Sequence, residues 1–370
     1  MSLGATGRGW ELATYDLALT VRTPIHVGTG APLREGYDYV VDQAPDGRTL
    51  RVIDVARALL DLDDKEIAQA RDGRIASALT AERRRRLSLA AYRLPPDWRP
   101  GDVLHQHVRL PDGRPYLPGS SLKGALRTAL LDDVVAAERR APAIAPGRPE
   151  RAGANVEALA RRPAEALGGR PAADANRDVL RAVRVSDLLP DAREGGALDL
   201  FRVESRRLRP RPGERSDIPM LVEALRPGTV LRGTLTVERG GPLWAGLDGA
   251  LGAALDDLVD RALWRHARRL VAFEREAAGG STPLLEQIDR DSAAGARRWL
   301  NLGWGGGWAA RTIAPALWEV DRGAWRQAAA TAKRGPGPVP ELFPATRRFV
   351  VRGNQSVRMG WATLEVTPRG

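Results

Sequence analysis

Residues 116–131 read YLPGSSLKGALRTALL, and the architecture turns on how this stretch is parsed. Pro118 and Gly119 make a turn and a serine, Ser120 or Ser121, caps a helix. Leu122, Leu126, Ala129 and Leu130 then recur at the spacing of one buried helical face. Lys123 and Arg127, four residues apart, share another face. What comes before this helix is mostly extended. Residues 14–23, TYDLALTVRT, alternate Tyr15, Leu17, Leu19 and Val21 against Asp16, Ala18, Thr20 and Arg22, the period of two of a half-buried strand. Pro24 ends it, residues 26–30 (HVGTG) form a short glycine loop, and residues 37–41 and 50–53 are two more expected strands. The pattern turns helical from Asp54 to Tyr92, with Asp54 as N-cap and Arg83–Arg86 as a solvated face, and residues 103–110 return to strand.

Beyond the helix, which is expected to reach about Arg140, the chain runs through the same sequence of elements again. Residues 141–177 are rich in Ala, Pro, Gly and Arg without periodicity, the composition of an exposed, disordered insertion. Strands are expected at 182–186, 198–208, 218–224 and 229–237. Residues 243–278 and 283–300 are expected to be helical, and a further helix spans 315–332, so that the helical region covers 243–332. Closing strands fall at 348–352 and 361–366. Strands, helices and strands, twice over, fit two α+β units with antiparallel-type sheets better than one alternating parallel sheet. The expected division is 1–187 and 197–370, in keeping with a chain of 370 residues.

The chain carries a net charge of +11, which points to a polyanionic partner. Only Lys65, Lys123 and Lys333 of its 57 basic residues are lysine, a skew that matches the coding bias of a GC-rich genome and weakens the charge argument. Having no cysteine excludes disulfides, Cys-ligated zinc, iron–sulfur clusters and thiol catalysis. The first residues lack an apolar leader and no run of about 18 apolar residues occurs, so a cytoplasmic protein is expected, with no membrane partner.

Three constellations could carry function. The first is the helix start, where the hydroxyls of Ser120 and Ser121, free backbone N–H groups, Lys123 and Arg127 all favour a phosphodiester; a capped amphipathic helix with solvated cations reads the same spacing equally well. The second is residues 301–308, NLGWGGGW, followed by Arg311. Gly305, Gly306 and Gly307 let backbone approach a ligand, and Trp304 or Trp308 could stack on a base; the competing reading is a turn anchored to the core by its tryptophans. No Walker loop or dinucleotide fingerprint is present. The third is residues 23–30, TPIHVGTG, where Gly28 and Gly30 could hold phosphate and His26 could act as acid or base in RNA cleavage, although one histidine without a partner is more often a packing residue. His105 and His107 share one face of an expected strand, but no carboxylate stands at metal-ligand spacing, so no metal or other cofactor is expected.

TPIHVGTG, DYVVD, YLPGSSLKGALRTALL, IPMLVEALRPGT, NLGWGGGW, FPATRRF and RMGWATLEV occur in that order from residue 23 to residue 366. Together they resemble the RAMP superfamily and, within it, the family of the fifth subunit of type III-A CRISPR (Csm) effector complexes. The resemblance implies two ferredoxin-like (RRM-related) domains with helical insertions. It also implies a non-catalytic subunit that caps the crRNA 3′-end side of a ribonucleoprotein filament, supports crRNA maturation in antiviral defence and works with nucleases of the host. The implied partners are crRNA, target RNA, the adjacent backbone RAMP subunit and other Csm subunits. The implied RNA-binding positions are His26, Gly28, Gly30, Ser120, Ser121, Lys123, Arg127, Trp304, Gly305, Gly306, Gly307 and Arg311. Filament subunits of the superfamily cut RNA with an early-loop aspartate; Asp38 stands in a comparable region, but within an expected strand. The alternative is an endoribonuclease using His26 or Asp38.

Overall fold

The structure, a computed structural model, describes residues 11–44, 47–94, 104–139, 179–191, 196–209, 219–239, 258–333, 338–341, 343–352 and 355–369. The insertion expected at 141–177 and the start of the helical stretch expected from residue 243 lie outside them.

A first sheet contains β1 (Glu11–Val21), β7 (Val183–Val185), β8 (Leu189–Pro190), β11 (Val230–Arg239), β12 (Arg298–Asn301) and β15 (Trp361–Pro368), ordered β12–β15–β1–β11–β7 with β8 also on β11. All its pairings are antiparallel. The alternation read in β1 explains its central place. Leu17, Leu19 and Val21 are buried, and the register sets Leu19 against both Leu231 and Leu364, so one apolar stripe crosses three strands.

A second sheet is ordered β14–β13–β9–β10–β6–β2, from β2 (Gly28–Leu33), β6 (Leu104–His107), β9 (Leu198–Arg207), β10 (Met220–Leu225), β13 (Thr346–Arg352) and β14 (Gln355–Arg358). β10 and β6 run parallel and the other neighbours antiparallel. Both sheets thus take strands from either side of residues 188–196. A third sheet, β3 (Tyr39–Ala44), β4 (Gly47–Ile53) and β5 (Ser88–Arg93), carries the short helices α1 (Val55–Asp61), α2 (Asp64–Gln69), α3 (Ile75–Ala78) and α4 (Ala81–Arg86) between β4 and β5.

Helix α5 (Gly119–Glu138) follows the pattern read from its sequence: Leu122, Leu126, Ala129 and Leu130 are buried in the core shared with β1, β11 and β15. Its start differs from expectation. Pro118 is the N-cap residue and neither serine caps; instead Asp187 reaches from beyond β7 and its Oδ1 accepts the Gly119 N–H at 2.7 Å. A Cβ on residue 119 would meet the carbonyl oxygens of Val185 and Ser186 at 2.4 and 2.5 Å, so glycine is what lets α5 begin against that strand. Helix α6 (Leu263–Ala278) packs on α5, and α7 (Pro283–Ala293), α8 (Gly307–Ala310), α9 (Ala314–Val320) and α10 (Arg322–Ala332) complete the α-helices of the described residues.

Several local expectations are corrected. Residues 88–93 and 298–301 are strands rather than helix, because pairing with β4 and with β15 outweighs local composition. Residues 28–30 belong to edge strand β2 rather than to a loop, and Asp38 sits in the turn before β3. The helix expected at 315–332 is two helices, because the Asp321 carboxylate caps α10 by accepting from the N–H groups of Gly323 and Ala324. The run at Arg83–Arg86 is not merely solvated. Arg83 pairs with Glu66 at 2.6 Å, Arg84 with Asp42 at 3.1 Å and Arg86 with Asp61 at 2.6 Å, stapling α4 to α1, α2 and β3. Among the described residues no helix is long and apolar enough to cross a membrane.

Candidate nucleic-acid interface

The two glycine segments, 273 residues apart from Gly30 to Gly303, meet. The Trp304 N–H donates to the His26 carbonyl at 2.9 Å, which closes residues 303–307 onto the segment leading into β2. The close approach demands glycine on the later segment: a Cβ on residue 303 would fall 2.4 Å from the His26 carbonyl oxygen, and one on residue 305 would fall 2.3 Å from the Met359 Cβ. Gly306 is likewise filled from inside, by Asn301 Oδ1, whereas Gly307, at φ 75°, faces open space. Most of these glycines therefore serve internal packing rather than close approach of a ligand. Gly28 and Gly30 are exposed on β2, and His26 Nε2 occupies the space a Cβ on Gly28 would need.

Around this junction the second sheet supplies the remaining groups. His105 on β6 stacks on Trp304 with ring centroids 5.8 Å apart and planes 30° apart, and His26 meets Trp304 edge-on at 5.9 Å. The Arg348 guanidinium, from β13, lies 3.5 Å over the Trp304 ring, and its Nη1 donates to the Trp304 carbonyl at 2.9 Å. Arg311, exposed at the end of α8, donates to the Gly307 carbonyl at 3.1 Å. Register puts His105 beside Val222 and Arg348 beside Ser205, on the sheet face that also bears Phe201 and Met220, both half-buried. Aromatic rings, apolar side chains and cations on one sheet face suit a single strand of nucleic acid, since stacking and charge act there without reading a base edge. Trp308, the other tryptophan of the loop, is buried instead against Trp325 and Phe343.

His26, His105 and His107 gather here, and all are kept neutral. Burial lowers the His26 pKa to about 4 and that of His107 to about 3, and burial together with Arg348 lowers that of His105. His26 Nδ1 is 2.7 Å from the Glu223 carbonyl oxygen, while His107 bridges the Val27 N–H and the Tyr116 carbonyl. Glu223 itself is buried and accepts from Arg109 and from the His107 N–H. Among the described residues no cluster of histidine and carboxylate groups could hold a metal ion.

These neutral histidines tie stability to pH. The unfolded chain takes up protons near the ordinary 6.5, whereas His26 and His107 resist protonation in the fold until about 4 and 3. Their contribution is fully present above 6.5 and falls with pH below it, by about 1.4 kcal/mol per unit for each group. The thermal midpoint is therefore expected to drop between pH 7.5 and 5, and His107→Gln should flatten that slope. A midpoint unchanged over that range contradicts the neutral assignment.

The remaining expected site residues lie elsewhere on the path. Ser120 is exposed, Ser121, Lys123 and Arg127 are half-buried, and the first turn of α5 lies against residues 185–187 rather than against the glycine segments. The Asp187 carboxylate already takes the first free N–H of that helix, so an incoming phosphate there would meet an anion. The Asp38 carboxylate accepts the Arg34 N–H at 2.8 Å and holds the turn into β3. Arg348 and His105 are not among the expected RNA-binding positions; Arg348 lies in the FPATRRF segment of the resemblance, where nothing in the sequence separates it from Arg347.

The sequence pattern of the RAMP superfamily matches residues 18–310. Among characterised relatives, the CRISPR system Cms protein Csm5 of Mycobacterium tuberculosis, in strains CDC 1551 / Oshkosh and ATCC 25618 / H37Rv, is 31% identical over 138 residues, which is 36% of this chain and 36% of the relative. A chain in the cryo-EM structure of a Csm–crRNA–target RNA ternary complex of a type III-A CRISPR-Cas system is 25% identical with a TM-score of 0.62, covering 95% of this chain and 100% of that one. The crystal structure of T. onnurineus Csm5 shares the fold, with a TM-score of 0.56 at 21% identity over 94% of this chain and 99% of that one. With the matched pattern spanning most of its length, the glycine segments included, this chain belongs to the RAMP superfamily.

Proposed function

We propose that this chain is a guide-RNA-binding, non-catalytic subunit of a type III-A Csm effector complex, capping the crRNA 3′-end side of the filament and supporting crRNA maturation in the cytoplasm. The observation that carries it is the junction of the two glycine segments, where Trp304 and Arg311 of the later segment stand with His105 and Arg348 of the second sheet. Likeness over 95% of the chain to a subunit of a complex containing crRNA and target RNA supports it. The partners are crRNA, target RNA, an adjacent RAMP subunit and other Csm subunits; the part played by host nucleases rests on the family resemblance alone.

The fold proposed with it is two ferredoxin-like modules, interleaved along the chain. β1, α5, β7, β11, α6 and β15 follow one another as βαββαβ, and the order β15–β1–β11–β7 is that of a ferredoxin-like sheet. The second six-stranded sheet is the other module, so residues 1–187 and 197–370 each lend strands to both.

On this reading RNA is gripped through its backbone with weak sequence preference. Lys123→Ala with Arg127→Ala is expected to lower affinity for single-stranded RNA and to flatten the dependence of log K on log salt by about 0.7 for each phosphate no longer neutralised. Unchanged affinity and slope would remove the α5 region from the interface and leave the glycine junction.

The endoribonuclease reading meets specific obstacles. His26 is buried, its Nδ1 is engaged by a carbonyl and its pKa of about 4 makes it a weak base, while the Asp38 carboxylate is taken up by a backbone N–H. Purified protein is therefore expected to leave labelled guide precursor intact. A metal-independent product abolished by His26→Ala, or a metal-dependent one abolished by Asp38→Ala, would overturn the non-catalytic assignment.

A further inference from the structure

We propose that Arg311 and Arg348 form a two-pronged clamp for a single phosphate of the bound RNA strand, with Trp304 as the platform that aims Arg348. The clamp rests on the RNA-binding reading above and sharpens it to named residues.

The two guanidiniums come from separate elements, β13 and the end of α8, yet both donate to carbonyls of one short loop, Arg348 to that of Trp304 and Arg311 to that of Gly307. Neither has a carboxylate partner among the described residues. The contrast with neighbouring arginines is direct. Arg347, next in sequence, is buried against Glu274 with Nε–O distances of 3.0 and 3.1 Å, and Arg358 bonds the same carboxylate. Arg109 has Glu223, and Arg269 has Asp132. Those neighbours have carboxylates, whereas half-buried Arg348 and exposed Arg311 donate to neutral carbonyl oxygens.

Holding a cation half out of water without a counter-ion is costly unless an anion arrives. Burial brings the Arg348 pKa down to about 10, and the Arg311 charge adds to the depression. Trp304 offsets part of the cost through its ring face, whose centroid lies 3.5 Å from the guanidinium carbon, and its carbonyl anchors Nη1. A planar fork held in place, with a second fork beside it, matches the tetrahedral oxygens of a phosphodiester. The surrounding rings of His26 and His105 are neutral, so they neither compete for the anion nor repel the cations.

The test uses the full chain and fluorescently labelled single-stranded RNA of mixed sequence, titrated across a salt series. Arg311→Ala and Arg348→Ala are each expected to weaken binding about tenfold, and the double variant to flatten the salt slope by about 0.7, because only then is the one phosphate left without a cation. The double variant should lose less than the two factors multiplied, since both arginines serve one phosphate. Arg348→Lys, which keeps the charge but not the stacked fork, should recover only part of the loss. Thermal midpoints confirm that each variant is folded. Arg297→Ala removes an exposed arginine paired with Asp291 and is the control for net charge. If it matches Arg348→Ala, the effect is bulk charge and the clamp is wrong. Wild-type affinity in both single variants overturns the clamp while leaving RNA binding intact; absence of RNA binding by the wild type overturns both. Loss of assembly with a partner subunit at unchanged RNA affinity shows that the arginines serve a protein carboxylate instead, and also overturns the clamp.

Discussion

Glu274→Ala is expected to cost about 3–5 kcal/mol of stability, a large fraction of what holds a domain folded. Glu274 stands on α6, is 4% exposed, and carries the counter-charge for two arginines of the second sheet. Arg347 Nε lies 3.0 and 3.1 Å from its two carboxylate oxygens, Arg347 Nη2 lies 3.0 Å from Oε1, and Arg358 Nη1 bonds Oε2. Burial alone would raise the pKa of this carboxyl group, but Arg347 and Arg358 together hold it below the usual range, so the bridge is intact throughout the neutral and mildly acid region. Removing it leaves two guanidiniums facing an apolar boundary, with Arg347 only 6% exposed. Glu274→Gln should be nearly as harmful, since it keeps shape but not charge. Glu274→Ala combined with Arg358→Met should recover part of the loss, because one of the two orphaned cations is gone. Urea denaturation checks all three; a loss below about 1 kcal/mol for Glu274→Ala would show that solvent reaches the pair and that α6 is not pinned to the sheet in this way.

Asp132→Ala is expected to have a comparable effect for the helical half of the molecule. Asp132, on α5, is fully buried; its Oδ2 is 2.6 Å from Arg269 Nε and 3.0 Å from His266 Nδ1, and its Oδ1 accepts the Ala316 N–H of α9 at 3.0 Å. One carboxylate thus fastens three helices. Burial would raise its pKa, but Arg269 and His266 hold it lowered. The neighbouring Asp133 is the internal comparison. It pairs with Arg269 at 2.9 Å and with Arg265 at 2.6 Å, but the Arg265 side chain is 45% exposed and can turn to water when its partner is removed. Asp133→Ala should therefore cost clearly less than Asp132→Ala. Equal losses in chemical denaturation would contradict the assignment of the three-helix junction to Asp132.

Alternating leucines made β1 legible, and the helical stripe from Leu122 to Leu130 made α5 legible, because each signal lies within one element and the burial it implies is the burial observed. The order of the glycine segments and the helix start also carried the family resemblance. What the sequence hid was closed by long-range contact. The cap of α5 comes from Asp187, 68 residues away, so a local reading assigns it to a serine. Residues 88–93 look helical in isolation and become a strand only when β4 offers its edge. Segments that each read as a separate glycine loop form one place, because Trp304 binds the backbone of His26. Arg348 lies in the FPATRRF segment of the resemblance, but residue type does not separate it from Arg347 beside it; its position over Trp304, and the acids that its neighbours have and it lacks, set it apart.

Ultraviolet cross-linking of crRNA within the assembled particle, followed by mass spectrometry of the adducted peptides, tests the central proposal most directly. Adducts on peptides containing Trp304 to Arg311 and residues 26 to 31 are the predicted result. A particle in which this chain yields no RNA adduct, while its neighbouring subunits do, would contradict it.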